Sequence, residues 1–210
     1  MDAHQQDTAN PFGMDEDCEN CPGLCGARTQ VVHGYGDVGA DFAFVGERPG
    51  PGADGTGVPF TGDAGGEAFL SVLRRLGLCA SPADSEEPEL HNAFLTYLTR
   101  CRHPERPPTD EEVATCEPYL NAEIRMINPE IIVPVGERAL AEVSTEYTTT
   151  PADEFDLVSD AGEAIRGRGF ELVPMIPPGE ATDEQTQSFV ESFSALMASD
   201  YRQTKGRRSR

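Results

Sequence analysis

An α/β fold, with a central parallel sheet between layers of helices, is the class this sequence predicts, on three observations. Apolar runs of strand length alternate with stretches of helical period. That alternation favours a parallel sheet covered on both faces. The first and last of the four apolar runs each lead into a Gly- or Pro-rich turn, 46–66 and 177–179. Such sheets bind ligands beyond the carboxyl ends of their strands, so the two turns are expected to face one pocket.

The elements follow in order. Residues 1–17 are acidic and polar and read as disordered. "CENCPGLCGAR" (18–28) is a cysteine loop, and "DFAFVG" (41–46) reads as the first strand. It ends in "GERPGPGADGTGVPFTGDAGG", with eight glycines and three prolines in residues 46–66. That composition predicts an open loop, since neither a helix nor a central strand tolerates it. "GEAFLSVLRRLGL" (66–78) carries Phe69, Val72, Leu73 and Leu76 at helical period. "SPADSEEPE" (81–89) is a solvated connection, and "AFLTYLT" (93–99) reads as the second strand. Thr109 and Glu112 form a capping box that opens a helix. Pro118 suits the first turn of a further helix after it. "EIIVPVG" (130–136) is the third strand, followed by a helix over 137–143, and 144–169 show no strong pattern. "FELVPMI" (170–176) is the fourth strand. Thr182 and Gln185 cap a last helix that turns Phe189, Phe193 and Leu196 to one side. Residues 18–200 are thus expected to form one domain, with 201–210 a mobile basic tail.

Composition bounds the function. The 210 residues can bury a real core without disulfide staples. No apolar run is long enough to span a bilayer, and the N-terminus lacks the apolar core of a secretory signal. A cytoplasmic monomer is expected, in which six cysteines are thiols or metal ligands. The net charge is −21, with 16 Lys and Arg against 37 Asp and Glu. A surface this acidic argues against nucleic acid unless the charge answers to the solvent. At molar salt the Debye length falls to about 3 Å, so like charges hardly repel. The acidity is read here as halophilic.

Cys18 and Cys21 form a C-x2-C pair, and Cys101 and Cys116 follow far downstream with fourteen residues between them. Such a set can hold zinc or an iron–sulfur cluster, and spacing does not choose between them. Cys25 could compete as a ligand, while Cys79, behind Leu78, reads as core. In so acidic a chain, the run Arg100, Arg102, His103 and Arg106 suggests either a phosphate contact or counter-charges for nearby acids.

Several ordered motifs resemble the family 4 uracil-DNA glycosylases, the iron–sulfur branch of their superfamily. They are "CENCPGLCGARTQVVHGYGD", "VGERPG" followed by "GVPFTGDAGG", "TRCRHP" with Cys116–Pro118 behind it, and "NPEIIVPVGERAL". The resemblance runs from about Cys18 to Ile176. It implies a three-layer α/β/α domain with a central four-stranded parallel sheet, agreeing with the strand count. It implies a 4Fe–4S cluster on Cys18, Cys21, Cys101 and Cys116. The implied substrate is a deaminated base flipped out of DNA. The glycine-rich stretch becomes the first active-site motif, with Gly46 at its start and Phe60 as the ring on which the base stacks. Glu47 positions water or stabilises the cationic sugar as the glycosidic bond breaks.

Three positions depart from the family pattern. Arg48 stands where the family has alanine, and Tyr97 replaces an asparagine that reads the base edge. Pro177 replaces the histidine that stabilises the departing base. None of His4, His33, His91 and His103 stands near that position in sequence. Tyrosine offers one hydroxyl on a bulky ring, and proline offers neither a polar side chain nor an N–H. A glycosylase for uracil or another base and an inactive iron–sulfur DNA- or partner-binding protein both stay open. A zinc-stapled α/β protein with an unrelated ligand is the third reading.

If the charge answers to solvent, the thermal midpoint of unfolding rises between low salt and molar KCl as self-repulsion is screened. A flat or falling midpoint removes the halophilic reading.

Overall fold

The computed structural model describes residues 8–202. Six strands form one sheet: β1 (Tyr35–Gly36), β2 (Phe42–Gly46), β3 (Ala93–Tyr97), β4 (Ile131–Val135), β5 (Ile165–Arg166) and β6 (Glu171–Leu172). Their order is β1-β3-β2-β4-β6-β5. The four expected strands are its parallel centre, with β3, β4 and β6 joined in parallel around β2. The two-residue strands β1 and β5 add antiparallel edges. They carry too few residues for a period to register in the sequence.

Every residue of β2, β3 and β4 is buried, as befits a sheet covered on both faces. Alternation along β2 divides the core. Phe42 and Phe44 meet Phe69 and Leu73 of α3 (Ala64–Arg75) and Phe189 and Phe193 of α7 (Asp183–Ala198). Ala43 and Val45 meet Val113, Leu120 and Ile124 of α4 (Asp110–Ile127) and Val143 of α5 (Glu137–Tyr147). Both expected capping boxes are present, Thr109 with Glu112 and Thr182 with Gln185.

Three local expectations are corrected. Pro118 does not start a new helix; it lies inside the single helix α4. The ring sits on the exposed side, and buried Val113, Cys116, Leu120 and Ile124 on either side hold the helix through the missing N–H. The glycine-rich stretch contains a six-residue helix, α2 (Pro51–Thr56). Proline is favoured in a first turn, and Gly57 ends α2 in the left-handed region, so this Pro/Gly pattern delimits a helix. The acidic N-terminus is packed from Ala9 onward. Ala9 bridges Tyr35, and Phe12 and Met14 are buried with Ala40, Phe94 and Ile127. Most of the basic tail, residues 203–210, lies outside the described residues.

One buried ion pair joins the second strand run to α4. Arg100 Nη2 and Glu123 Oε2 are 2.6 Å apart, with side chains 2% and 1% exposed. Glu123 also accepts from Thr96 Oγ1 at 2.5 Å and from Gly34 N–H at 3.0 Å. Removing one member of a buried pair leaves an unpaired charge and costs about 3–5 kcal/mol. Glu123→Ala is therefore expected to lose most of the protein's stability in urea unfolding. Glu111→Ala, on the exposed face of the same helix, should shift it by less than about 0.5 kcal/mol.

Candidate active site

The carboxyl ends of β2, β3 and β4 open into a broad cleft. Gly46, Glu47, Arg48, Phe60, Tyr97 and Pro177 all line it. The chain leaving β2 stays beside the chain leaving β3. Leu98 N–H donates to Gly46 C=O at 2.8 Å, and Thr99 N–H to Glu47 C=O at 3.1 Å. This extension of the ladder fixes the backbone at Glu47. Its half-buried carboxylate makes no hydrogen bond or ion pair with the described residues.

The glycine-rich loop is closed by its own backbone. Asp63 caps α3 by accepting from Gly66 N–H at 2.9 Å, and also accepts from Gly52 N–H at 3.0 Å. A Cβ at Gly52 would come within 2.2 Å of the Gly62 carbonyl carbon, so that position needs glycine for contact within the loop. Phe60 has φ +57°, a left-handed conformation uncommon for a bulky residue and typical of strain held at functional sites.

Phe60 and Tyr97 are packed together. Phe60 stacks on Phe69 with centroids 4.1 Å apart and lies against Tyr97 at 4.8 Å. Tyr97 Oη accepts the Phe60 N–H at 2.8 Å. Tyr97 is 3% exposed, and burial raises its hydroxyl pKa above the ordinary tyrosine value, so it stays protonated. Pro177 places its ring 3.4 Å from where a Cβ at Gly136 would stand, just past β4. Among the described residues no histidine lines the cleft. His33 is buried with Nε2 on the Asp15 carbonyl, and His91 lies near Glu89.

The arginine run separates. Arg100 is buried against Glu123, and Arg106 pairs with both carboxylate oxygens of Glu112 at 2.7 and 2.8 Å. Those two are counter-charges, while Arg102 lines the cleft. Arg48 Nη1 donates to the carbonyls of His103, at 3.2 Å, and Arg106, so it pins the loop after Cys101 to the loop that follows β2.

Cys18, Cys21, Cys101 and Cys116 line a second, small cavity with Leu24, Val31, Arg28, Arg100 and Tyr119. Cys25 is not among its lining residues, and Cys79 lies with Phe42 and Phe44 in the core. Burial, reinforced by the neighbouring thiols, pushes Cys21 up to about 11. Arg28 Nη1 donates to Cys101 Sγ at 3.1 Å and to Cys25 Sγ at 3.6 Å, and Arg100 N–H donates to Cys116 Sγ at 3.3 Å. Arg100 Nε is buried with no hydrogen-bond partner among the described residues. Four thiols with donors already aimed at sulfur fit an anionic sulfur-bearing group. Among the described residues no three His, Cys, Asp or Glu are gathered tightly enough to hold a single metal ion. Sequence reasoning missed Arg28 and Asp63. A lone arginine inside the cysteine loop of an acidic chain, and an aspartate just before a helical period, are the signals that mark them.

A family model described as "Uracil DNA glycosylase superfamily" matches residues 33–199. The type-4 uracil-DNA glycosylase of Thermotoga maritima is 38% identical over 125 residues, 59% of this chain and 59% of that protein. The type-4 uracil-DNA glycosylase of Sulfurisphaera tokodaii is 37% identical over 155 residues, 73% of this chain and 61% of that protein. A type-5 uracil-DNA glycosylase of Pyrobaculum aerophilum is 30% identical over 199 residues, 86% of each chain. The chain therefore spans about three fifths of the length of the two type-4 relatives. With its cleft at the strand ends and this match across most of its length, the chain belongs to the uracil-DNA glycosylase superfamily.

Proposed function

We propose that this protein is a DNA base-excision glycosylase that hydrolyses the N-glycosidic bond of a deaminated or damaged base and acts very slowly on uracil. The observation that carries the reading is the convergence of Gly46, Glu47 and Phe60 on one cleft beyond the parallel strands. DNA is the partner, with the target nucleotide turned out of the stack. Glu47, whose carboxylate has no hydrogen bond or ion pair among the described residues, is the group that orders water or faces the developing positive charge on the sugar. Arg102 serves a phosphate. A second reading, DNA binding without excision, is favoured by Tyr97 and Pro177. They contribute neither the amide edge nor the anion-stabilising imidazole that the family resemblance implies.

Cys18, Cys21, Cys101 and Cys116 are proposed to hold a 4Fe–4S cluster. All four thiols line one cavity, and the donors from Arg28 and Arg100 suit sulfur ligands. Such a cluster supplies an inorganic staple between the cysteine loop, the end of β3 and α4.

Protein purified without oxygen is expected to be brown and to carry four irons. Cys101→Ala loses them and lowers the melting temperature, while Cys79→Ala keeps them. Stoichiometric zinc without iron would sink the cluster.

Uracil release from single-stranded DNA is expected to be absent or very slow in the folded protein. Tyr97→Asn with Pro177→His raises it by ~10²-fold or more if both groups act on the transition state. Either change alone does less, because residues acting as a unit are non-additive. Robust release by the unmodified protein, abolished in Glu47→Ala, would overturn this reading of the pocket.

A further inference from the structure

We infer that Arg28 sets the reduction potential of the cluster proposed for the cysteine cavity, as the arginine there whose charge is aimed at sulfur and matched by no carboxylate. The inference rests on the cluster reading above and deepens it by assigning that cluster a controlling side chain.

Two arginines line the cavity with Cys18, Cys21, Cys101 and Cys116, and they are not equivalent. Arg100 gives its guanidinium to Glu123 Oε2 at 2.6 Å, so its charge is compensated. Only its backbone N–H reaches a sulfur, that of Cys116 at 3.3 Å. Arg28 is half-buried and forms no ion pair among the described residues, whereas Arg106, Arg138 and Arg202 each do. Its Nη1 donates to Cys101 Sγ at 3.1 Å and to Cys25 Sγ at 3.6 Å. In a chain with 37 Asp and Glu, an arginine that meets thiols instead of carboxylates is placed there by the fold. The next residue shows how. Thr29 N–H donates to both Asp54 carboxylate oxygens at 3.0 Å, which fixes the backbone that presents Arg28.

The charge has a direction of effect. A 4Fe–4S cluster on four thiolates is doubly negative in its usual oxidised form, and one added electron makes it triply negative. A fixed positive charge with an N–H bond to a ligand sulfur stabilises the reduced form more than the oxidised one. Net charge and hydrogen bonds to sulfur are the terms that set such potentials, and charge-assisted bonds are the stronger kind. Arg28 therefore raises the potential, against the opposite pull of a chain whose net charge is −21.

The test is a potentiometric titration of protein purified without oxygen, followed by absorbance and electron paramagnetic resonance, with dithionite supplying the electron. Arg28→Gln is expected to shift the ratio of oxidised to reduced cluster about tenfold toward oxidised, which is a fall of about 59 mV for one electron. Arg28→Lys keeps the charge without the planar fork and falls between. Arg125→Gln removes an equal charge from an exposed site roughly 13 Å further along α4 than Cys116, and leaves the potential in place. Should Arg28→Gln fail to take up iron, the unmodified protein still decides. Grown on arginine with isotopically labelled guanidinium nitrogens and then reduced, it shows pulsed-resonance coupling between the cluster spin and a guanidinium nitrogen. The Arg100 guanidinium is held by Thr96, Tyr97 and Glu123 instead of sulfur. A potential unmoved by Arg28→Gln, an equal shift in Arg125→Gln, a cluster that dithionite cannot reduce, or no such coupling overturns the inference and leaves the cluster reading standing. Anaerobically purified protein without iron–sulfur absorbance overturns both.

Discussion

The Arg100–Glu123 pair is the interaction from which both walls of the site hang. Two charges held this deep are tolerable only with nearly complete hydrogen bonding. The partners supplying it come from separated parts of the chain. Glu123 brings in α4 and accepts from Gly34, just before β1. Arg100 Nη1 donates to the Tyr97 carbonyl at 2.6 Å and to Thr96 Oγ1 on β3. The backbone N–H of Arg100 reaches Cys116 in the cysteine cavity. Tyr97, positioned from below, then fixes the glycine loop through Phe60. The cleft wall at Tyr97 and the thiol cavity are thus two ends of one polar network rather than independent sites.

A second tie runs alongside it. Asp54 of α2 accepts the Thr29 N–H with both carboxylate oxygens at 3.0 Å, and Gln30 Nε2 donates to the Gly55 carbonyl at 2.8 Å. Arg28, immediately before, touches Cys101 sulfur. Order in the cysteine loop therefore bears directly on the loop that carries Phe60. The short helix α2 is what makes that connection.

Much of this was legible in the sequence because it rests on local pattern. The parallel strands announce themselves as apolar runs, and Thr109 and Thr182 as capping boxes. The four cavity cysteines stand out by spacing, and the glycine loop lies beyond a strand end as α/β folds require. What escaped depends on partners distant in the chain. Arg100 looks like its neighbour Arg102, and only the fold buries one and leaves the other in the cleft. Phe12 and Met14 sit in an acidic segment too short to show a period, and their burial is decided by Phe94 and Ile127. Pro118 reads as a boundary because the rule for proline weighs its own turn, not the packing before and after it. Tyr97 could be read from sequence as bulk in a pocket. That its hydroxyl would reach the backbone of Phe60 could not.

The pairing of the arginines sets how strongly salt acts on a nucleic-acid complex. Arg100, Arg106 and Arg138 each face a carboxylate, so their charge is spent within the protein. In the cleft, Arg48 and Arg102 remain beside the carboxylates of Glu47, Asp63, Glu137 and Glu180. Each neutralised phosphate adds about 0.9 to the slope of log affinity against log salt on duplex DNA, and less on a single strand. If DNA enters this cleft as proposed, an interface with two such arginines would displace few counterions, and its affinity would weaken only gently as ionic strength climbs. The sparse positive charge that first argued against nucleic acid would, on that proposal, let a contact with it survive high salt.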